Sequence, residues 1–350
     1  MSPELISLHL SQLEKAIENS KTNVYADPRK KDYHDKLLCL FERVKGYDLI
    51  SLPISNLSGI KLIIDFCFVS FEFLDNSILT SIPHETVYCL EKALSDWDNT
   101  NQYIIVTSLQ NDLNSFSFNS FLSIEETYYD FFKAEFSLDF KYRLIQINLP
   151  KYLAQDYLAS VILYHELGHF VDLKFKITER LSDSLGLVKE CQERTHYREF
   201  FSDIFASQYI GGASNIYLNY IAYQNPDCVT HPSTLSRIKL VEDFLNGTNN
   251  VVVNNLKQAA FKATGKNLKN RRSVISDEDF KNFIPAQFNT IDELHSIFEI
   301  GWNLWRNIIP EFETRKITLF EKYQIINNLI EKSISNYIVI EKWNKHVLKP

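Results

Sequence analysis

The 350-residue sequence has no surplus of positive charge: 37 Lys and Arg stand against 44 Asp and Glu, a formal net charge of −7. That balance argues against a nucleic-acid partner, which is normally met by a basic face. The basic cluster from Lys266 to Arg272 is short and reads as a solvated loop. A membrane-spanning run is also missing. The most apolar stretch, Leu62 to Leu74 (LIIDFCFVSFEFL), is too short and carries Asp65 and Glu72. The amino-terminal MSPELISLHLSQLEKAIENS has no basic start followed by an apolar core, so no signal peptide is expected. The five cysteines are scattered and never spaced as CxxC, which fits free thiols in a reducing compartment, the cytoplasm. Internal repeats and low-complexity tracts are absent.

What is present is a well-stocked core. Hydrophobic residues make up 45% of the chain and aromatic residues 13%, far from a disordered composition. Residues 1–50 read as helical, with Pro3 in the first turn and a polar break at Lys21 to Lys31. Residues 58–75 and 103–108 are rich in Ile, Val and Phe over short spans and read as strands. A short helix is expected over 125–135. Tyr142 to Leu149 alternates, with Ile145, Ile147 and Leu149 on one side and Leu144, Gln146 and Asn148 on the other, as in a half-buried strand stopped by Pro150. Helices are expected from Asp156 to about Lys174, from Tyr197 to Tyr209, and from Thr234 to the probable linker at Asn246-Gly-Thr-Asn-Asn, with mostly helical sequence after it. The fold class expected is α+β, mostly α. Residues 1–100 form an amino-terminal α/β region, 101–245 the catalytic core, and 251–350 a carboxy-terminal helical region with aromatic faces such as Phe298, Trp302 and Trp305.

The chemistry sits in YHELGHFVD, Tyr164 to Asp172. His165 and His169 are four residues apart, so on a helix they share a face with Cβ atoms about 5–6 Å apart. Two imidazoles at that spacing can take adjacent corners of a tetrahedral zinc site. Glu166 lies about 100° around the helix and flanks the metal, where it can act as a base toward the attacking water. Two histidines on an apolar helix could equally be hydrogen-bonded core residues, so the motif needs support from elsewhere.

A zinc site of this kind requires a third protein ligand. In REFFSDIFASQYIGG, Glu199 and Asp203 are four apart on a predicted helix, among aromatics that make an unpaired carboxylate costly. Glu199 would ligate the metal, and Asp203 could accept the second ring N–H of a ligand histidine. Asp172, Glu190, Glu193 and His196 are rival third ligands, with His196 the strongest. The longer HExxHxxGxxH pattern is absent, because position 172 is Asp and position 175 is Phe. In THPSTLSRIKLVEDFL, Pro232 keeps His231 on a loop, and Arg237 stands near the start of the next helix. Both could donate to an oxyanion or hold the substrate backbone; a surface arginine at a helix N-terminus is the plainer reading.

Taken in order, HELGH, EFFSD and THPSTLSRI resemble the soluble core of the zinc peptidase group that includes HtpX and the CAAX prenyl proteases, and a similar layout occurs in the phage-exclusion protease Lit. The match runs from about Ala159 to Leu245. The resemblance implies a gluzincin-type, zincin-like core with a small sheet packed on the active-site helix. It implies His165, His169 and Glu199 as zinc ligands, Glu166 as general base, Asp203 as partner of a ligand, and His231 and Arg237 as residues that position substrate or stabilise the transition state. The expected function is a cytoplasmic zinc endopeptidase acting on an intracellular protein. The strand YRLIQINL would be the sheet edge to which an extended peptide adds, with Gln146 and Asn148 near the groove. The flanking regions would gate the site through a regulatory partner, as in phage defence or a toxin. The alternatives are a non-catalytic zincin-like scaffold that senses or binds, and a metal-dependent hydrolase of something other than peptides.

Overall fold

The computed structural model describes residues 2–78, 83–111, 116–119, 126–271, 273 and 275–347, and it is mostly helical with one small sheet. The chain separates into two compact units: residues 1–84 with 99–154, and residues 85–98 with 155–350. This division differs from the one expected. The boundaries at 101 and 251 fall inside units, because the sheet goes with the amino-terminal helices and the helices after residue 250 join those that carry the HExxH motif.

The first unit begins with helices α1 (Pro3–Ser20) and α2 (Pro28–Lys45). The Ser2 side chain caps α1, and Asp27 caps α2 with Pro28 in its first turn, so the polar break is shorter than expected. Next comes α3 (Ile54–Asp75). The strand expected over 58–75 is therefore corrected to a helix. Its residues Leu57, Ile60, Ile64, Cys67, Phe71 and Leu74 are all buried at helical spacing. The β-branched and aromatic content misled, whereas 22 residues is far beyond a usual strand. The chain then forms α4 (His84–Ser95), which apart from its first residue belongs to the second unit.

Strands β1 (Tyr103–Gln110) and β2 (Ser117–Asn119), helix α5 (Glu126–Phe136) and strand β3 (Arg143–Pro150) complete the first unit. The sheet order is β1-β3-β2, with β1 parallel and β2 antiparallel to β3. Strand β3 is thus the central strand. The expectation that it offers a free edge to an added peptide is overturned, since β1 and β2 take up its two sides. Leu144, Ile145, Gln146, Ile147 and Leu149 are all buried, a run typical of a strand covered on both faces. The Asn148 amide donates to Ser117 Oγ at 2.7 Å across the sheet. Gln146 and Asn148 belong to this unit's interior pairing, and the metal-binding candidates belong to the other unit.

The second unit holds α6 (Ile162–Phe175), α7 (Ile177–Ser184), α8 (Gln192–Ile210), α9 (Ala213–Ile221), α10 (Thr234–Asn246), α11 (Val251–Thr264), α12 (Glu278–Lys281), α13 (Ile291–His295), α14 (Ile297–Arg306), α15 (Pro310–Thr314) and α16 (Leu319–Val347). Its carboxy-terminal helices fix the start of α6. Trp302 Nε1 donates to the Leu158 carbonyl at 2.9 Å, and the Tyr157 N–H donates to Asn327 Oδ1 at 2.7 Å. The segment at Asn246 to Asn250 is a tight joint rather than a linker: Gly247 ends α10 with φ +68°, and Asn250 accepts the Val252 and Val253 N–H groups to start α11. Lys266 to Arg271 runs as a loop, and Arg272 lies outside the described residues. Among the described residues no helix is long and apolar enough to cross a membrane.

Candidate metal centre

Helices α6 and α8 cross at a glycine. A Cβ placed on Gly168 would lie 2.8 Å from Ser202 Cα and 3.2 Å from Phe205 Cβ, so only glycine allows this approach. The crossing brings two turns of α6 against one turn of α8. His165 Nε2 and His169 Nε2 lie 3.0 Å apart. Glu199 Oε2 is 3.4 Å from His165 Nε2, and Glu199 Oε1 is 3.5 Å from His169 Nε2. Among the described residues these three side chains form the group able to share one metal ion, with ligand atoms all within 4.8 Å of one another.

Zinc bond lengths of about 2.0–2.2 Å set the corners of a tetrahedral shell roughly 3.3–3.6 Å apart. The nitrogen–oxygen separations fall in that range and the nitrogen–nitrogen separation is slightly shorter. The chemistry of the surroundings fits as well. Glu199 and Asp203 are buried acids that share one buried guanidinium, Arg237, which leaves negative charge for a divalent ion to balance. Glu199 Oε2 is buried without a hydrogen bond, although basic groups surround it at 3.4–3.7 Å. An acceptor left in that state is costly unless a cation completes it. The residues present therefore fit a divalent ion with imidazole and carboxylate ligands.

Protonation follows from the same crowding. Burial opposes charge on His165, but the adjacent Asp203 and Glu199 carboxylates raise its pKa to about 10. His169, largely shielded from water and beside that charged ring, is pushed down to about 3. Burial works against ionised Glu199, yet its contact with His165 pulls it down to about 2. Without a metal the cluster thus keeps one proton on His165 as its internal cation.

Asp203 Oδ1 lies 2.9 Å from His165 Nδ1, close but off the hydrogen-bond axis. Its two oxygens accept a fork from Arg237, at 2.7 Å from Nε and 2.8 Å from Nη2. Despite burial, this pairing keeps the Asp203 carboxyl well below the usual carboxylate range. Arg237 is accordingly moved from the substrate-holding role expected of it: its side chain is only 7% exposed and its fork is taken by Asp203. His231 does lie on a loop, 55% exposed, with Nε2 3.7 Å from Glu199 Oε2. That loop is tied by Cys228 N–H to the His231 carbonyl at 2.9 Å and by a contact between His196 Nε2 and the Cys228 carbonyl at 2.8 Å.

The rival ligands point elsewhere. His196 is engaged with the Cys228 carbonyl. Asp172 accepts the Thr178 N–H and hydroxyl at 2.7 and 2.5 Å and so caps α7. Neither belongs to the three-residue group, nor do Glu190 and Glu193. One residue escaped the sequence reading: Ser202 Oγ lies 3.0 Å from His169 Nδ1. Its position on α8, three residues after Glu199 and one before Asp203, was the available signal. No known protein family, curated protein or solved structure matches the chain.

Proposed function

We propose that this chain is a zinc-dependent endopeptidase of the gluzincin type, with a zincin-like helical core that acts inside the cell under conditional control. The observation that carries the reading is the turn of the Glu199 carboxylate toward both imidazoles, with Glu166 buried on the same helix directly after His165. His165, His169 and Glu199 would hold the metal. A bound zinc ion supplies Lewis acidity, which polarises a scissile carbonyl and acidifies water. Glu166 would take the proton of the attacking water and deliver it to the leaving amine, general acid–base work that suits a carboxylate on the same helix as the two histidines. Asp203, held by Arg237 and 2.9 Å from His165 Nδ1, would orient that ring once a small rotation brings the N–H onto the carboxylate. His231 is the solvent-accessible member of the cluster and is free to donate to the oxyanion as it forms.

A peptide is favoured over a small-molecule substrate by the segment that carries His231. Tyr220, Tyr223, Val229 and Leu235, close to His231 in sequence, are 78%, 65%, 71% and 70% exposed, apolar groups available to side chains flanking a scissile bond. The test compares new protein N-termini in cells producing the wild type or Glu166→Gln. New N-termini in the wild type alone, with zinc retained by both proteins, support the peptidase. Identical N-termini in the two, with zinc retained, reject it in favour of a zinc-binding scaffold or a hydrolase of another substrate.

A further inference from the structure

We infer that Ser202 is a positioning residue: it accepts the His169 Nδ1–H and so aims Nε2 of that ring at the metal. The inference rests on the metal-centre reading above. The two imidazoles are not held alike. His165 faces a carboxylate that Arg237 grips on both oxygens, whereas His169 faces a neutral hydroxyl at 3.0 Å. A histidine that ligates through Nε2 carries its proton on Nδ1, and a buried Nδ1–H needs an acceptor. Ser202 is fully buried, and the hydroxyl is the acceptor the structure provides.

The local packing is built for this short side chain. Helices α6 and α8 come close at the Gly168–Ser202 pair, where a Cβ on residue 168 would meet Ser202 Cα at 2.8 Å. At that separation a serine reaches the ring. A carboxylate there would add a further negative charge beside Glu199 and Asp203, beyond what one divalent ion would balance. One turn of α8 thereby supplies three parts: the ligand Glu199, the partner of His169 and the partner of His165. The arrangement would give a bound metal two unequal imidazoles, with the ring beside Asp203 the stronger electron donor.

The test uses the purified full-length protein with zinc or cobalt(II) as the probe. Chelator competition measures zinc affinity for wild type, Ser202→Ala and Ser207→Ala. Ser207 is the control, a fully buried serine on the same helix whose hydroxyl donates to the Ile204 carbonyl at 3.1 Å. Ser202→Ala should weaken zinc binding about 10- to 100-fold and alter the visible spectrum of the cobalt protein, while Ser207→Ala should do neither. Equal affinity and an unchanged cobalt spectrum in Ser202→Ala would overturn the inference, as would equal weakening by Ser207→Ala. A readout that needs no variant is the histidine nitrogen NMR spectrum of the zinc-loaded wild type. His169 should carry its proton on Nδ1, and a proton on Nε2 would overturn the assignment. Failure of the wild type to take up either metal would instead bring down the metal centre as a whole.

Discussion

Tyr164 and His165 are neighbours in sequence, yet α6 sends them about 100° apart into two different buried polar clusters. Tyr164 OH meets His295 Nδ1 at 2.8 Å. Nearby, Tyr209 OH accepts from Trp97 Nε1 at 2.9 Å, with the Ala93 carbonyl and Asp96 Oδ2 each 3.0 Å away, and Asp96 is balanced by Arg271 at 3.2 Å. None of Tyr164, Tyr209, Trp97 or His295 has a buried side-chain polar atom without a partner. In the His165 cluster, by contrast, a carboxylate oxygen, Glu199 Oε2, is buried without a hydrogen bond between the two imidazoles and Arg237. A buried histidine is therefore not in itself a sign of function. Tyr164 and His295 close on each other in a network that holds helices together, whereas His165 shares its surroundings with two carboxylates and a single guanidinium.

Removing a ligand should have the largest effect. Glu199→Ala should lose its zinc, with bound metal by elemental analysis falling from one per chain to near zero, whereas His196→Ala should keep it. The reverse outcome would move the third ligand to His196. Next is Glu166→Gln, which should retain zinc while cleavage falls by a factor of about 10²–10⁴. Loss of zinc from this variant would make Glu166 a ligand instead of a base. Arg237→Ala leaves Asp203 buried without its partner and should lower stability by about 3–5 kcal/mol in chemical denaturation. A change within experimental error would show that solvent reaches Asp203.

The smallest expected effect comes from the closed cluster. Burial, with Arg271 and Lys92 nearby, pushes the His295 pKa down to about 3, against about 6.5 in an unfolded chain. The unfolded chain takes the proton first as pH falls. The stability that His295 contributes is therefore complete above about pH 6.5 and is lost progressively toward pH 3. Between pH 7 and pH 5, with chelator present, the wild type should lose about 2 kcal/mol more than His295→Phe. Equal losses would mean that His295 is charged in the folded protein and that the contrast between the clusters is weaker than drawn.

The parts of this architecture that could be read from sequence are those in which one local rule dominates. The i, i+4 spacing of His165 and His169, and of Glu199 and Asp203, fixes which side chains share a helix face. Pro232 fixes the loop at His231, and the alternation from Tyr142 to Leu149 gives β3. What stayed hidden depends on partners distant in sequence. The apolar run at 58–75 has β-rich composition but helical spacing of its buried residues, and length decides between them. Strand β3 is central only because β1 and β2 flank it, a matter of topology that its own residues do not encode. Arg237 turns to Asp203 through a helix packing that its motif position does not specify. Ser202 gains meaning only once Gly168 is seen to let α8 come close.

The account rests on one metal ion held by two imidazoles and the carboxylate of Glu199. Zinc X-ray absorption on the protein purified without chelator tests this most directly. The account predicts one zinc per chain in a shell of two imidazole nitrogens with oxygen completing the coordination, and one imidazole fewer in His169→Ala. A protein free of zinc, or a three-imidazole shell that loses a ring in His196→Ala, would contradict it.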